Sequence, residues 1–115
     1  MAGDGLIAPT VQRWFAAHSV GAPGPLCARA ERYLAAGAGA AVPARQLARA
    51  AADALAAALA RPGAGDRTAA LDLLAADALM TLALQAYAET DPAGLARFAA
   101  ELRNGRLADG VEGPA

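Results

Sequence analysis

The chain has 115 residues, a length that fits one domain with a core of modest size. Its formal net charge of −1 argues against nucleic acid as the main partner. Hydrophobic residues make up 57% of the chain, but about a third of all residues are alanine, which favours helices and buries little area. All ten basic residues are arginine, a bias typical of a GC-rich bacterial genome.

Cysteine usage and the first residues bear on cellular location. The single cysteine, Cys27, excludes an internal disulfide and suits a reducing cytoplasm. The opening residues, MAGDG, contain no basic region followed by an apolar stretch, so they predict no secretory signal. The run from Thr68 to Ala88 has the length of a membrane span, but Asp72 and Asp77 inside it would be costly at the centre of a bilayer. We therefore expect a cytoplasmic protein without a membrane span.

The first two predicted helices are bounded by proline and glycine. After a flexible leader at residues 1–8, the first helix opens at Pro9 or Thr10 and ends at the GAPGP segment, residues 21–25. Its residues at helical spacing on one face are Val11, Trp14, Phe15 and His18. The second helix begins at Pro25, which suits the first turn. Its predicted inward residues are Leu26, Ala30, Tyr33 and Leu34.

A flexible GAGAA segment, residues 37–41, precedes the third helix, which runs from Pro43 to about Ala60. The predicted apolar seam of this helix is Leu47, Ala51, Leu55 and Leu59. Its solvent-exposed face is marked by Arg45, Arg49 and Asp53. The RPGAG segment, residues 61–65, ends it.

The fourth helix dominates the chain, because it is long and apolar on nearly every side. Asp66 is its predicted N-cap, and the helix ends near Thr90. A fifth helix starts at Asp91-Pro92 and ends at Gly105, a predicted left-handed cap. Its predicted apolar face is Leu95, Phe98, Ala99 and Leu102.

These elements predict an all-α fold, since no segment shows the alternation of a strand. We expect a compact bundle or orthogonal array of about five helices around a central apolar helix, at about residues 66–90. The helical domain comprises residues 9–103, followed by a flexible tail at residues 104–115.

The fourth helix carries one polar stripe with a residue at every fourth position: Asp77, Thr81, Gln85 and Glu89. The stripe is either the solvent edge of an amphipathic helix or the lining of a pocket. It could also hold a cation with help from Asp53. In a ligand-binding module, Asp77, Thr81 and Gln85 would orient an apolar ligand held between alanine-rich helices.

Asp72 lies off this stripe. A separation of five residues turns a helix by about 140°, so Asp72 and Asp77 diverge and do not form an acid–base dyad. Asp72 is expected to pair with an arginine, either Arg67 or a tertiary partner such as Arg49.

Other reactive residue types form no recognisable catalytic set. His18 is the only histidine and is expected at a helix end, where its charge favours the C-terminal dipole, rather than in a metal site. Cys27 lies near a helix start, where a thiolate could be stabilised, but a spectator thiol is the preferred interpretation. We expect neither metal nor cofactor, and no enzyme activity.

The segment from Leu73 to Leu84, LLAADALMTLAL, resembles the helix that follows the first metal-binding motif of isoprenyl diphosphate synthases. The resemblance covers about a dozen residues and implies an all-helical fold. That family binds magnesium through aspartate-rich DDxxD motifs, and the chain contains none. No diphosphate-binding magnesium site is therefore carried over.

A nearly all-apolar helix surrounded by short partners should retain an uncovered face, and such faces usually mark association surfaces. The leading hypothesis is a non-catalytic protein that acts through protein–protein association, as a homodimer or other homo-oligomer, an adaptor or a small subunit of a larger assembly. The expected contact residues are Leu73, Met80, Leu84 and Tyr87, followed by Trp14 and Phe15, which otherwise cap the core. The alternative is the module that binds a small apolar ligand.

Overall fold

The computed structural model describes residues 9–36, 42–61 and 65–105. These residues form five helices: α1 (Pro9–His18), α2 (Gly24–Ala36), α3 (Pro43–Ala60), α4 (Arg67–Thr90) and α5 (Leu95–Arg103). No strand occurs within the described ranges, and the predicted all-α class is confirmed. The predicted leader, the GAGAA segment and the tail beyond residue 105 lie outside the described residues.

The ends of the later helices follow from capping chemistry. The Asp66 carboxylate accepts the backbone N–H of Thr68 at 2.8 Å and that of Ala69 at 3.1 Å, as predicted for an N-cap. Asp91 accepts the N–H of Gly94 at 3.0 Å, but it caps a single 3₁₀ turn, Pro92–Gly94, before α5 begins. At the far end of α5, Gly105 adopts a φ of 75°, the predicted left-handed conformation.

The helices α3 and α4 form the central pair of the domain, with α2 packed against both. The six-residue connection between them makes the pair antiparallel. Small side chains fill its interface: Ala54 of α3 clusters with Ala75 and Ala76 of α4. Because alanine lets two helix backbones approach closely, dispersion along the pair compensates for the shortage of large apolar side chains.

The predicted seam of α3 is wrong in its second half. Leu47 and Ala51 are buried, but Leu55 is 42% exposed and Leu59 is 76% exposed. A step of four residues turns the helix by about 400°, so an i+4 line advances by about 40° per step and by about 120° over three steps. The line therefore leaves the core, and the buried face continues through Ala54.

The two sides of the α3–α4 pair are covered unequally by the described helices. Contacts to α2 use Gln46 and Asp72, whereas contacts to α5 use Arg45 and Tyr87. At a rise of 1.5 Å per residue, the 9-residue α5 is about 14 Å long and the 24-residue α4 about 36 Å long. The helix α5 therefore covers only one end of its side.

Candidate functional site

A buried charge cluster joins α2 to α4. The side chain of Asp72 is fully buried, and its Oδ1 accepts hydrogen bonds from Arg29 Nε at 2.6 Å and from the Tyr33 hydroxyl at 2.9 Å. Its Oδ2 lies 3.5 Å from Arg61 Nε. The expectation that Asp72 pairs with an arginine is confirmed, but the guanidinium at hydrogen-bond distance belongs to Arg29 rather than to Arg67.

The ionisation of this cluster follows from its hydrogen bonds. The bond from Arg29 lowers the pKa of Asp72 below its ordinary value, which outweighs the opposing effect of burial. The same bond raises the pKa of Arg29. Burial, followed by the bond to Asp72, raises the pKa of Tyr33. Each pKa shift favours the ionisation state in which the side chain stays hydrogen-bonded in the cluster. The cluster therefore holds α2 against α4.

A second polar cluster ties α1 to the end of α4. The Trp14 indole donates to Glu89 Oε1 at 2.8 Å, and His18 Nε2 lies 3.2 Å from Glu89 Oε2. The His18 ring stacks on Trp14 with the centroids 3.7 Å apart, and its Nδ1 lies 2.8 Å from the Trp14 carbonyl oxygen. As expected, His18 is the last residue of α1.

A cavity of about 290 Å³ lies between α1, α2 and α4. The buried lining residues, Phe15 and Ala30, mark its floor, and the exposed ones, Ala22, Asp77 and Thr81, mark its rim. The remaining lining residues are half-buried: His18, Ser19, Leu26, Cys27, Ala78 and Leu82. The cavity is therefore an open, mainly apolar pocket with polar groups near its mouth.

Two of the three predicted ligand-orienting residues, Asp77 and Thr81, lie at this rim. Gln85 is exposed one turn further along α4 and does not line the cavity. Sequence reasoning did not associate Ser19 and Cys27 with the stripe, because the α1–α2 turn approaches α4 only in the folded chain.

No described helix covers an apolar surface on the side of the α3–α4 pair that α5 covers in part. Leu59 follows Arg45 by fourteen residues, and Leu73 precedes Tyr87 by fourteen. Fourteen residues are nearly four turns, so each leucine lies within about 40° of the residue that contacts α5, displaced by about 21 Å along the helix. Leu55 lies one turn before Leu59, and Leu73 is 53% exposed. We call Leu55, Leu59 and Leu73 the open leucine surface.

The predicted contact residues of α4 do not share one environment. Leu73 belongs to the open leucine surface, and Leu74 beside it is 56% exposed. Met80, Leu84 and Tyr87 are half-buried and pack against the main core cluster. The Tyr87 ring stacks on Phe98 of α5, with the centroids 4.1 Å apart.

The two aromatic residues of α1 face the core. Phe15 is only 4% exposed and belongs to the main core cluster, and Trp14 is half-buried against it.

The sequence prediction placed Leu55 and Leu59 of α3 in the core rather than at the surface. Plotting α3 at 100° per residue, instead of following an i+4 line, would have placed both leucines at the surface.

Two general features of the described residues bear on function. No group of three His, Cys, Asp or Glu side chains that could hold a metal ion occurs within the described ranges. One described helix, α4, is long and apolar enough to cross a membrane by length and composition alone, a criterion that the core helix of a bundle also meets.

No family model, curated protein or solved structure gives a significant match to the chain. The resemblance to isoprenyl diphosphate synthases thus remains limited to the dozen residues of α4.

Proposed function

We propose that this chain is a non-catalytic helical protein that acts through self-association, and that its open leucine surface pairs with the same surface of a second copy. The observation that carries the proposal is the exposure of three leucines on adjacent turns of two packed helices. Contiguous exposed apolar side chains on a small domain usually mark association surfaces.

The composition of this surface favours a second copy as its occupant. Ala52, Ala69 and Met80 flank the leucines on the same side of the pair, so the centre of the surface is apolar, and the exposed Asp77 lies at its edge, one turn beyond Leu73. A twofold pairing brings each patch against itself, and its uncharged centre meets no like-charge repulsion there. The result would be a bundle of four helices, two from each copy, which is a common way of burying helix pairs.

The test is sedimentation velocity over a wide range of protein concentration. We expect a wild-type dimer and a monomer for Leu59→Asp and for Leu73→Asp, with helicity by circular dichroism unchanged. Leu84 is unsuitable for this test because it packs against the core.

Val20→Asp is the matched control, because Val20 is 85% exposed and lies outside the leucine surface. This variant should remain dimeric. A wild-type monomer at every concentration, or a dimer that survives both leucine substitutions, would overturn the proposal. Capture of a different protein in fixed stoichiometry by a monomeric chain would overturn the self-pairing.

A further inference from the structure

We propose that the cavity between α1, α2 and α4 binds a small organic cation, with an apolar body inside the pocket and an ammonium group at the rim beside Asp77. This inference is independent of self-association, since the cavity and the open leucine surface do not share a residue. It rests on the size of the cavity, on the direction in which its hydroxyl protons point and on the carboxylate at its mouth.

The cavity has room for an aromatic or branched apolar group. A dry apolar cavity of about 150 Å³ accommodates benzene. The volume here is about 290 Å³, and its floor is formed by Phe15 and Ala30, with Leu26 and Leu82 on the walls. A phenyl ring with a short alkyl chain therefore fits without displacement of a helix.

The hydroxyl groups that line the cavity already donate hydrogen bonds to backbone carbonyls. Ser19 Oγ donates to the Phe15 carbonyl at 2.7 Å, and Thr81 Oγ1 donates to the Asp77 carbonyl at 2.9 Å. Only the lone pairs of these two oxygens remain available to a ligand.

The other polar side chains of the lining offer no free donor to a ligand. Both ring nitrogens of His18 are occupied by the Trp14 carbonyl and the Glu89 carboxylate. The Cys27 thiol lies 4.0 Å from the Ser19 carbonyl and 3.9 Å from that of Ala22. A ligand that matches this lining must bring donors of its own.

The negative charge of Asp77 favours a ligand whose hydrogen-bond donor is positively charged. Its side chain is exposed at the rim, and it forms no ion pair with any of the described residues. An ammonium group supplies three N–H donors and a positive charge, so it matches the carboxylate and the neighbouring lone pairs together. A carboxylate ligand would be repelled there.

The experiment compares three probes of nearly equal shape on the full chain: 2-phenylethylammonium, 2-phenylethanol and 3-phenylpropionate. Binding is followed by amide chemical shifts in a heteronuclear NMR titration at low salt. The cation should bind about threefold more tightly than the alcohol, as an exposed ion pair allows, and the anion most weakly. The largest shifts should fall on Ala30, Ala78 and Thr81.

Two variants and one control make the result specific. Asp77→Asn should bring the affinity of the cation to that of the alcohol, whereas Asp53→Asn, which removes an exposed charge away from the cavity, should leave the preference intact. Ala78→Leu should fill the pocket and weaken all probes. Equal wild-type affinities for cation and alcohol, shifts that map elsewhere, or unchanged binding by Ala78→Leu would overturn the inference.

Discussion

Arg29 and Asp72 are 43 positions apart in the chain, yet Arg29 Nε donates to Asp72 Oδ1 over 2.6 Å. Tyr33, one helical turn after Arg29, donates to the same oxygen. Because Asp72 is fully buried, the free energy of this contact depends on the fit of α2 against α4. A single carboxylate therefore fixes both the position and the rotation of α2.

Asp72→Asn should lower the free energy of unfolding by about 3 kcal/mol, because it leaves the Arg29 guanidinium without its buried partner. Urea denaturation at neutral pH measures this difference. Asp53→Asn is the control: Asp53 is exposed, so its substitution should change the free energy of unfolding by no more than about 0.5 kcal/mol.

The pH dependence of the Asp72 contribution has a defined sign. The folded-state pKa of Asp72 is lowered from its ordinary value of 3.8, so the native state holds fewer protons than the unfolded state in acid. The stabilisation is fully present above 3.8 and is lost as the pH falls through the folded pKa. The difference between wild type and Asp72→Asn should thus be constant near neutrality and shrink in acid. A difference that grows in acid would contradict this assignment.

Glu89→Ala should loosen α1, because Glu89 contacts both Trp14 and His18. Its side chain is 46% exposed, so the loss in stability should stay below about 1 kcal/mol. Trp14 is the only tryptophan, and acrylamide quenching of its fluorescence reports the loosening directly. Quenching should increase in Glu89→Ala and not in Glu31→Ala, which alters an exposed glutamate of α2.

Gln46→Met should stabilise the domain by about 1 kcal/mol. The Gln46 side chain is buried, its Nε2 reaches the Leu34 carbonyl only at 3.5 Å, and its Oε1 accepts no hydrogen bond within the described structure. Methionine keeps the length of the side chain and removes the unpaired buried carbonyl. Thermal unfolding checks the sign, and a lower melting temperature would show that Gln46 has a partner in solution.

Ala54→Leu should destabilise the domain by about 1–3 kcal/mol, because Ala54 has no exposed surface and packs against Ala75 and Ala76. Ala56→Leu makes the same change at an exposed position of α3 and should be nearly neutral. Similar effects at both sites, measured by urea denaturation, would contradict close packing of the central pair.

Local sequence was sufficient to predict the helices. Asp66 caps α4 through its own side chain, and Gly105 ends α5 through its own backbone conformation. Such contacts join residues two or three positions apart, so proline, glycine and aspartate delimit helices in any all-α arrangement. The candidate site was predicted less completely: Asp77 and Thr81 were recognised on one helix, but the Ser19 and Cys27 side of the cavity was not.

The sequence by itself determined the all-α class, the number of helices and the central place of α4, because these depend on composition, capping and periodicity. Only the tertiary structure decided that Arg29 pairs with Asp72, that Leu59 faces solvent and that a cavity opens beside Asp77. Each of these depends on which helix lies against which and at what rotation. Rotating an alanine-rich helix by about 40° about its axis moves a leucine between core and surface. Alanine fits either position, so the spacing of alanines in the sequence does not determine that rotation.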